Sequence, residues 1–587
     1  MEAAAYHLLK MSAPVPDLLF PPREITRGEG RLALTTPRIL PGTLAEAQTW
    51  IDSGAPAGWS VRLDPRLGTE NHRLVITPAG IDLTAGDATG FLFALQTLRG
   101  LWAEDPTSLP CLTLTDGPSL PVRGFMLDVS RGKVPTMGEL LRLVEGLHAL
   151  RANQLQLYVE HTFAWPGHED AWRDASPLTA AQIRTLDDAC AAVGIELVPN
   201  LNTFGHMERW LRHPRYRALA ECPEGWIHPL TGQFKEFPGT LRPDQASLDF
   251  VDALLADYLP CFRSRQVNLG GDEPWELGQG FSKAAVAARG KHRVYLDHLR
   301  KLCALSTARA HTPQFWGDIL LEDLALAQDA PADAVPVVWG YDAGHPFDAH
   351  CGRLRELGRT YLVAPGTSTW QSFTGRLDNA LTNQREAITA ARTHGARGIL
   401  LTSWGDNGNH QPWPTNWPAM VAGLTQAWTG QPTADLTAGY AALGALEATE
   451  ATEAAAVAAA LTHLGRLDGQ IAKANRNKSL TWDFLTAKPE ALGKFTEGVE
   501  AEELRRAWTY LDEAAPLLAA IATDDVREEL TLGADLARAG LHRAEGKALS
   551  RRERGALIER YQAAWLKRAR PGGLDESVAA LFGEPTG

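Results

Sequence analysis

Cysteine is scarce and without pattern in this chain. Six are spread over 587 residues, at positions 111, 190, 222, 261, 303 and 351. None forms a C-x-x-C pair and none lies beside a histidine at metal-ligand spacing. Neither a zinc site nor a disulfide framework is therefore expected, and buried, reduced thiols are. Long hydrophobic runs are also missing. No stretch of about 18 uninterrupted apolar residues occurs, which argues against a membrane-spanning helix. Basic charge is in deficit, with 57 Lys and Arg against 70 Asp and Glu and a formal net charge of −13. Such a surface repels phosphates, so nucleic acid is not an expected partner. The start, MEAAAYHLLK, has Glu2 where a secretory signal has basic residues, and His7 and Lys10 break its apolar run. No signal is read there, and a cytoplasmic location is expected. Neither a metal nor another cofactor is expected. What remains is ordinary globular composition, 44% hydrophobic and 22% charged, which rules out a disordered chain, a collagen or a coiled-coil rod.

Tryptophan is plentiful, with eighteen against ten tyrosines. Its flat apolar face suits sugar rings as well as protein cores. Three regions follow along the chain. Residues 1–118 read as a small α+β domain. RLALTT (31–36) and HRLVITPAGIDLTAG (72–86) alternate as strands do, and TGFLFALQTLRGLW (89–102) has helical spacing. A Pro- and Gly-rich junction closes the domain. Over 119–430, eight short apolar runs alternate with amphipathic helices. They are VRGFMLDVS (122–130), QLQLYVEH (154–161), IELVPNLN (195–202), QVNLGGDE (266–273), PQFWGDIL (313–320), PVVWGY (336–341), TYLVAPGTS (360–368) and RGILLTSWGD (397–406). Eight strand–helix units match a (β/α)8 TIM barrel. A doubly wound open sheet or two smaller α/β domains fit less well, because polar and aromatic residues gather at the carboxyl ends of the runs, where a barrel builds its site. After Gly430 the chain is rich in Ala, Leu and Glu, and 431–587 reads as a helical domain with no motif and a packing role.

The sharpest local feature is NLGGDEP (268–274). Gly270 and Gly271 allow unusual dihedrals, and Pro274 should stop the strand. Asp272 and Glu273 then sit at a strand's carboxyl end. Neighbouring strand residues point to opposite faces, so both can enter one pocket only where the strand ends or is distorted. The bland alternative is an aspartate capping a helix. Two carboxylates in a pocket could bind a divalent ion, act as acid and nucleophile of a retaining glycosidase, or divide into a general acid and a group steering the substrate. Adjacent residues rarely flank a scissile bond, so the last option fits best. Trp316, Trp339, Trp370 and Trp404 fall at or just beyond the ends of strands five to eight, as walls of a shared pocket. Asp318 and Asp406 each follow a tryptophan by two residues; helix capping is favoured for Asp318, and hydroxyl binding and capping are balanced for Asp406. Arg131, after strand one, could fork across two vicinal hydroxyls. Glu160 and His161 end strand two, and His206 follows strand three.

These residues match a known pattern. NLGGDE resembles the H-x-G-G-D-E signature of glycoside hydrolase family 20, the β-N-acetylhexosaminidases. RGFMLDVSRGKVP resembles that family's first barrel strand, and GFLFALQTLRGLW the end of its small α+β domain. The likeness runs over roughly residues 70–430. It implies an exo-acting, retaining enzyme that removes terminal N-acetylhexosamine from a carbohydrate. The substrate's own 2-acetamido oxygen would attack the anomeric carbon and form an oxazolinium ion. By resemblance Glu273 is the general acid/base and Asp272 orients the acetamido N–H. Arg131, Trp404 and Asp406 hold the terminal sugar, Trp316 and Trp339 clasp the acetamido methyl, and His206 matches the histidine after strand three. The chain departs from the pattern in three places. Asn268 stands where a histidine is expected. LYVEHTFAW replaces the usual H-x-H-x-x-D-D stretch, leaving Glu160 and His161 as the substitutes. The expected tyrosine after strand seven is missing from APGTSTWQSF, leaving Trp370 for that wall. Two rival readings are a retaining β-glycosidase acting on sugars without an acetamido group and a catalytically inactive sugar-binding barrel.

Overall fold

The computed structural model describes residues 19–33, 40–105, 107–323, 327–433, 436–445, 453–473 and 475–583. The chain divides into two compact units, 1–118 and 119–587. The first contains a five-stranded sheet of β1 (Glu24–Ala33), β2 (Trp59–Leu63), β3 (His72–Thr77), β4 (Gly80–Ala85) and β5 (Ser108–Asp116), in the order β1-β5-β3-β4-β2. Only β2 and β4 pair in parallel. Helices α1 (Leu44–Ser53) and α2 (Ala88–Glu104) supply Ala47, Phe91 and Leu95 to a core shared with Leu74, Ile76 and Leu83. The strand expected over 31–36 ends at Ala33, and residues 34–36 lie outside the described residues.

In the second unit, eight parallel strands close a barrel. They are β6 (Val122–Asp128), β7 (Gln154–Val159), β8 (Glu196–Leu201), β9 (Gln266–Asn268), β10 (Thr312–Trp316), β11 (Val335–Trp339), β12 (Leu362–Ala364) and β13 (Gly398–Ser403). All eight predicted runs are present. Helices alternate with them for a legible reason. Met137–Ala149, for example, starts where Thr136 caps the Glu139 N–H, and it buries Leu140, Leu143, Val144 and Leu147, the i, i+3, i+4, i+7 stripe of an amphipathic helix.

The barrel interior holds a layer of buried amides. Gln156 donates to Gln314 at 2.9 Å and accepts from Asn200 at 2.9 Å and from Asn268 at 3.4 Å. Asn268 also accepts the Gly270 N–H at 3.0 Å. It therefore works as a member of this network, which accounts for the departure from histidine at that position.

The helical region after Gly430 belongs to the same compact unit as the barrel. Its helices include Ala454–Leu464, Ala501–Ala519, Asp524–Ala544, Arg551–Arg568 and Leu574–Phe582; residues 446–452 of the first predicted helix lie outside the described residues. Arg209 on the barrel forms a two-pronged ion pair with Glu576. Trp482 donates to His410 at 2.9 Å, and Arg568 meets Glu139 at 3.1 Å. Among the described residues no helix is long and apolar enough to cross a membrane. The six cysteines are buried and unpaired.

Candidate active site

Strand β9 stops at Asn268, five residues before the predicted end. Its ladder runs on only to Gly270, whose carbonyl accepts the Trp316 N–H at 3.0 Å. The chain then turns through left-handed backbone at Gly270 (φ 69°), Gly271 (φ 91°) and Glu273 (φ 45°). A Cβ on Gly270 would lie 2.4 Å from the Asn202 side chain, so only glycine fits. The Tyr295 hydroxyl holds the Gly271 carbonyl at 2.9 Å. This reversal breaks strand alternation and brings both carboxyls to one side. His206 Nε2 lies 3.2 Å from Asp272 Oδ2 and 3.8 Å from Glu273 Oε2. His206 is itself left-handed, at φ 56°. Its neighbour Gly205 passes so close that a Cβ there would sit 2.5 Å from the Asp272 carbonyl.

The charges in this cluster shape one another. Burial pushes the Glu273 carboxyl above its usual range, and the Asp272 charge adds to the push, while His206 opposes it. Burial works against a charged His206. Asp272 outweighs it, and the ring titrates at about 9. Asp272 is 7% exposed. Its Oδ1 is buried with no protein partner. An unpaired buried acceptor of this kind is costly unless something else supplies a donor.

Arg131 stands across from the pair. Its Nη1 meets Asp128 Oδ2 at 3.0 Å and its Nε meets Glu160 Oε1 at 3.3 Å. The guanidinium lies over the Tyr158 ring at 4.5 Å and over Trp404 at 5.0 Å. Asp128 also accepts the Gly405 N–H at 3.0 Å, tying the loops after β6 and β13 together. Burial raises Asp406 to about 6 against the pull of Arg131.

Trp316, Trp370 and Trp404 belong to one buried cluster, with Trp339 and Tyr341 packed against it. Trp316 and Trp404 are 5.7 Å apart. Trp339 stacks on Tyr341 at 5.4 Å, and Tyr341 meets Trp370 edge-on at 5.1 Å.

Asp318 is not merely helical. It opens a short helix, Asp318–Glu322, where the sequence suggested continuing strand. Its carboxyl accepts from the Trp339 indole at 3.3 Å, and burial together with Asp272 raises it to about 8. His161 is the one predicted residue not brought into this group. Glu160 and His161 both follow the end of β7, where the chain turns Glu160 to Arg131 but not His161. His161 instead lines a separate polar cavity with Arg209, Arg212 and Glu576. Burial lowers its pKa to about 3, leaving it neutral. Sequence reasoning passed over Asp128, Tyr158 and Tyr341. Asp128 lies within DVSR, Tyr158 within LYVEH, and Tyr341 two residues after Trp339, so each was adjacent to a chosen residue. Among the described residues no group of His, Cys, Asp and Glu side chains is arranged to hold a metal ion. An apolar void bordered by Leu127, Trp404, Leu532 and Trp565 lies beside this site, but neither Asp272 nor Glu273 lines it.

Two family models match the chain. Glycosyl hydrolase family 20, domain 2, covers residues 31–117, and the family's catalytic domain covers 121–346. Together they take in more than half of the chain. This chain belongs to glycosyl hydrolase family 20. The family 20 chain is 28% identical over 280 residues to a beta-hexosaminidase from Akkermansia muciniphila, covering 43% of this chain and 56% of that protein. It is 28% identical over 297 residues to hexosaminidase D from Bos taurus, covering 47% of this chain and 82% of that protein. It thus spans little more than half the length of the Akkermansia relative. Its fold is shared with the chitobiase of Flavobacterium johnsoniae, at 16% identity and a TM-score of 0.58, over 95% of this chain and 98% of that one. A family 20 exo β-N-acetylglucosaminidase from Vibrio harveyi, solved with N-acetylglucosamine, gives a TM-score of 0.59 at 17% identity, over 74% of this chain and 79% of that one.

Proposed function

We propose that this chain is an exo-acting, retaining β-N-acetylhexosaminidase that works through an oxazolinium intermediate. The observation that carries the reading is Asp272 Oδ1, a buried carboxylate oxygen with no partner, beside a raised glutamic acid and a tryptophan cluster. The acetamido N–H of the substrate supplies the missing donor. Asp272 then holds the acetamido group so that its carbonyl oxygen attacks the anomeric carbon, and it offsets the positive charge that develops on nitrogen. Glu273, whose carboxyl burial raises above its usual range, gives its proton to the departing oxygen and afterwards takes one from the water that opens the oxazolinium ion. His206, positively charged below about pH 9, restrains the two carboxylates.

Arg131, held by Asp128 and Glu160, and Asp406 take the sugar hydroxyls. Trp404 lies under the ring, and Trp316, Trp339 and Trp370 enclose the acetamido methyl. Tyr341, buried among them, is kept neutral far above its usual range by burial. It is the hydroxyl donor available to the acetamido oxygen in place of the tyrosine missing after β12. The division at residues 118 and 430 into a small domain, a catalytic barrel and a helical domain is part of the proposal, as is a cytoplasmic site of action, supported by the six unpaired thiols.

Turnover of aryl β-glycosides differing only at C2 and C4 tests the reading. Hydrolysis should require the 2-acetamido group, and efficient hydrolysis of the 2-hydroxy analogue would overturn it.

A further inference from the structure

The loop after β8 carries an excursion, residues 222–240, with a short hairpin of Trp226–Ile227 against Phe234–Lys235. Two buried carboxylates tie its ends to the segment just beyond Glu273, Glu221 from the excursion's own start and Glu276 from that segment. Glu221, fully buried, accepts the N–H groups of Gly278 and Gly280 at 3.2 Å each and that of Ser282 at 3.0 Å. Glu276, 1% exposed, accepts the Thr240 N–H at 3.1 Å. Gln279 clamps the hairpin itself, exchanging bonds with the Ile227 backbone at 3.2 and 3.1 Å and donating to the Trp275 carbonyl at 3.1 Å. The excursion is therefore a fixed part of the site's surroundings.

It completes a row of rings that begins at Glu273. The Trp275 N–H donates to the Glu273 carbonyl at 2.7 Å. His228 lies 5.9 Å from Trp275 at an interplanar angle of 31°, and Trp226 stacks on His228 at 5.4 Å and 25°. All three are half-buried, so part of each ring is open. A residue that protonates the departing oxygen must touch the group that leaves with it. Arg131 is tied up by Asp128 and Glu160, away from this row in the chain.

We propose that Trp275, His228 and Trp226 form the platform for the leaving group, and that this group is a further run of sugars in a β-linked oligosaccharide. This rests on the reading of Glu273 as the acid. Flat π faces match the apolar faces of pyranose rings. The imidazole in the middle matches hydroxyl edges, which a hydrocarbon chain lacks.

The test compares kcat/KM for β-N-acetylglucosaminides whose aglycone is methyl, octyl, or one, two or three further N-acetylglucosamine units. In Trp226→Ala, the ratio of trisaccharide to methyl glycoside should fall about tenfold, the loss expected for one stacked ring. Trp226→Phe should restore most of it, and His228→Ala should lower it by a similar factor. Unchanged ratios in Trp226→Ala and His228→Ala, or a loss confined to the octyl glycoside, would overturn the platform. A parent enzyme inert on every member of the series would instead overturn the proposed function.

Discussion

Replacing Asp272 by asparagine keeps the shape of the side chain and removes its charge. The local consequences follow from its surroundings. Oδ1 is buried and unpartnered, and Oδ2 faces His206 at 3.2 Å. A hydrogen bond to a charged group contributes about 1.5–3 kcal/mol and a neutral one about 0.5–1.5. Loss of charge at the acetamido contact therefore costs about 1–2 kcal/mol through that bond alone. The positive charge that forms on the acetamido nitrogen adds a Coulomb term of up to about 4 kcal/mol at 4 Å and an effective dielectric constant near 20. Preorganised groups of this kind contribute about 10²–10³-fold when measured. Asp272→Asn should thus lower kcat by about 10²–10³-fold on an aryl N-acetyl-β-glucosaminide. KM should change little, because the interaction strengthens in the transition state. A second signature is independent of rate. Asp272 is the main support of the charged His206. Without it, burial and Arg131 dominate, and the imidazolium should titrate well below 9. The basic limb of any His206-dependent pH profile should move down accordingly. A stable thiazoline copy of the bicyclic intermediate should inhibit the parent strongly and the variant weakly. A kcat loss under tenfold, or equal inhibition of both proteins by the thiazoline, would refute the role given to Asp272.

Glu273→Gln should lose about 10²–10⁴-fold on substrates with poor leaving groups and far less where departure needs no proton; equal loss on both would remove Glu273 from the acid role. Asp318 titrates near 8 in the folded protein against about 3.9 in an unfolded chain. Its raised value means that its contribution to folding is complete below pH 4 and is lost progressively as pH rises to 8. Asp318→Asn should therefore gain thermal stability over the parent by a margin that widens across that window, and a margin independent of pH would show that Asp318 does not titrate there. Asn477 accepts the Trp370 indole N–H at 3.1 Å from the helical region. Asn477→Ala should raise KM about 2–10-fold, the cost of one hydrogen bond, with kcat nearly unchanged; a kcat loss at constant KM would remove it from a positioning role.

The barrel was legible because each of its eight strands is a short apolar run followed by an amphipathic helix, and the two periodicities differ. Strand ends were not legible. Hydrophobicity carried the strand at 266–273 to its carboxylates, but left-handed backbone at Gly270 and Gly271 ends pairing earlier. In PQFWGDIL the same apolar run crosses from strand into the helix at Asp318. Adjacent residues with one motif assignment, Glu160 and His161, were separated by the turn the chain takes after β7 ends at Val159, which the motif does not encode. Tyr341 and Tyr158 escaped notice for a different reason. Aromatic residues beside a strand are commonly core, and only the packing shows Tyr341 meeting Trp339, Trp370 and Trp404 together.

The helical region was least legible of all. It has no motif, and Asn477 lies more than a hundred residues from the tryptophan it holds. Its own backbone is left-handed at φ 61°, and its N–H is fixed by Asp342 at 3.0 Å. Asp342 in turn meets Arg376, at the start of the helix after β12, at 3.3 Å. The polar chain Arg376–Asp342–Asn477–Trp370 thus runs from the barrel into the appended helices and back to the tryptophan cluster. A segment whose composition suggested packing alone therefore holds one tryptophan of that cluster. That follows from long-range contacts, which local spacing in a sequence does not record.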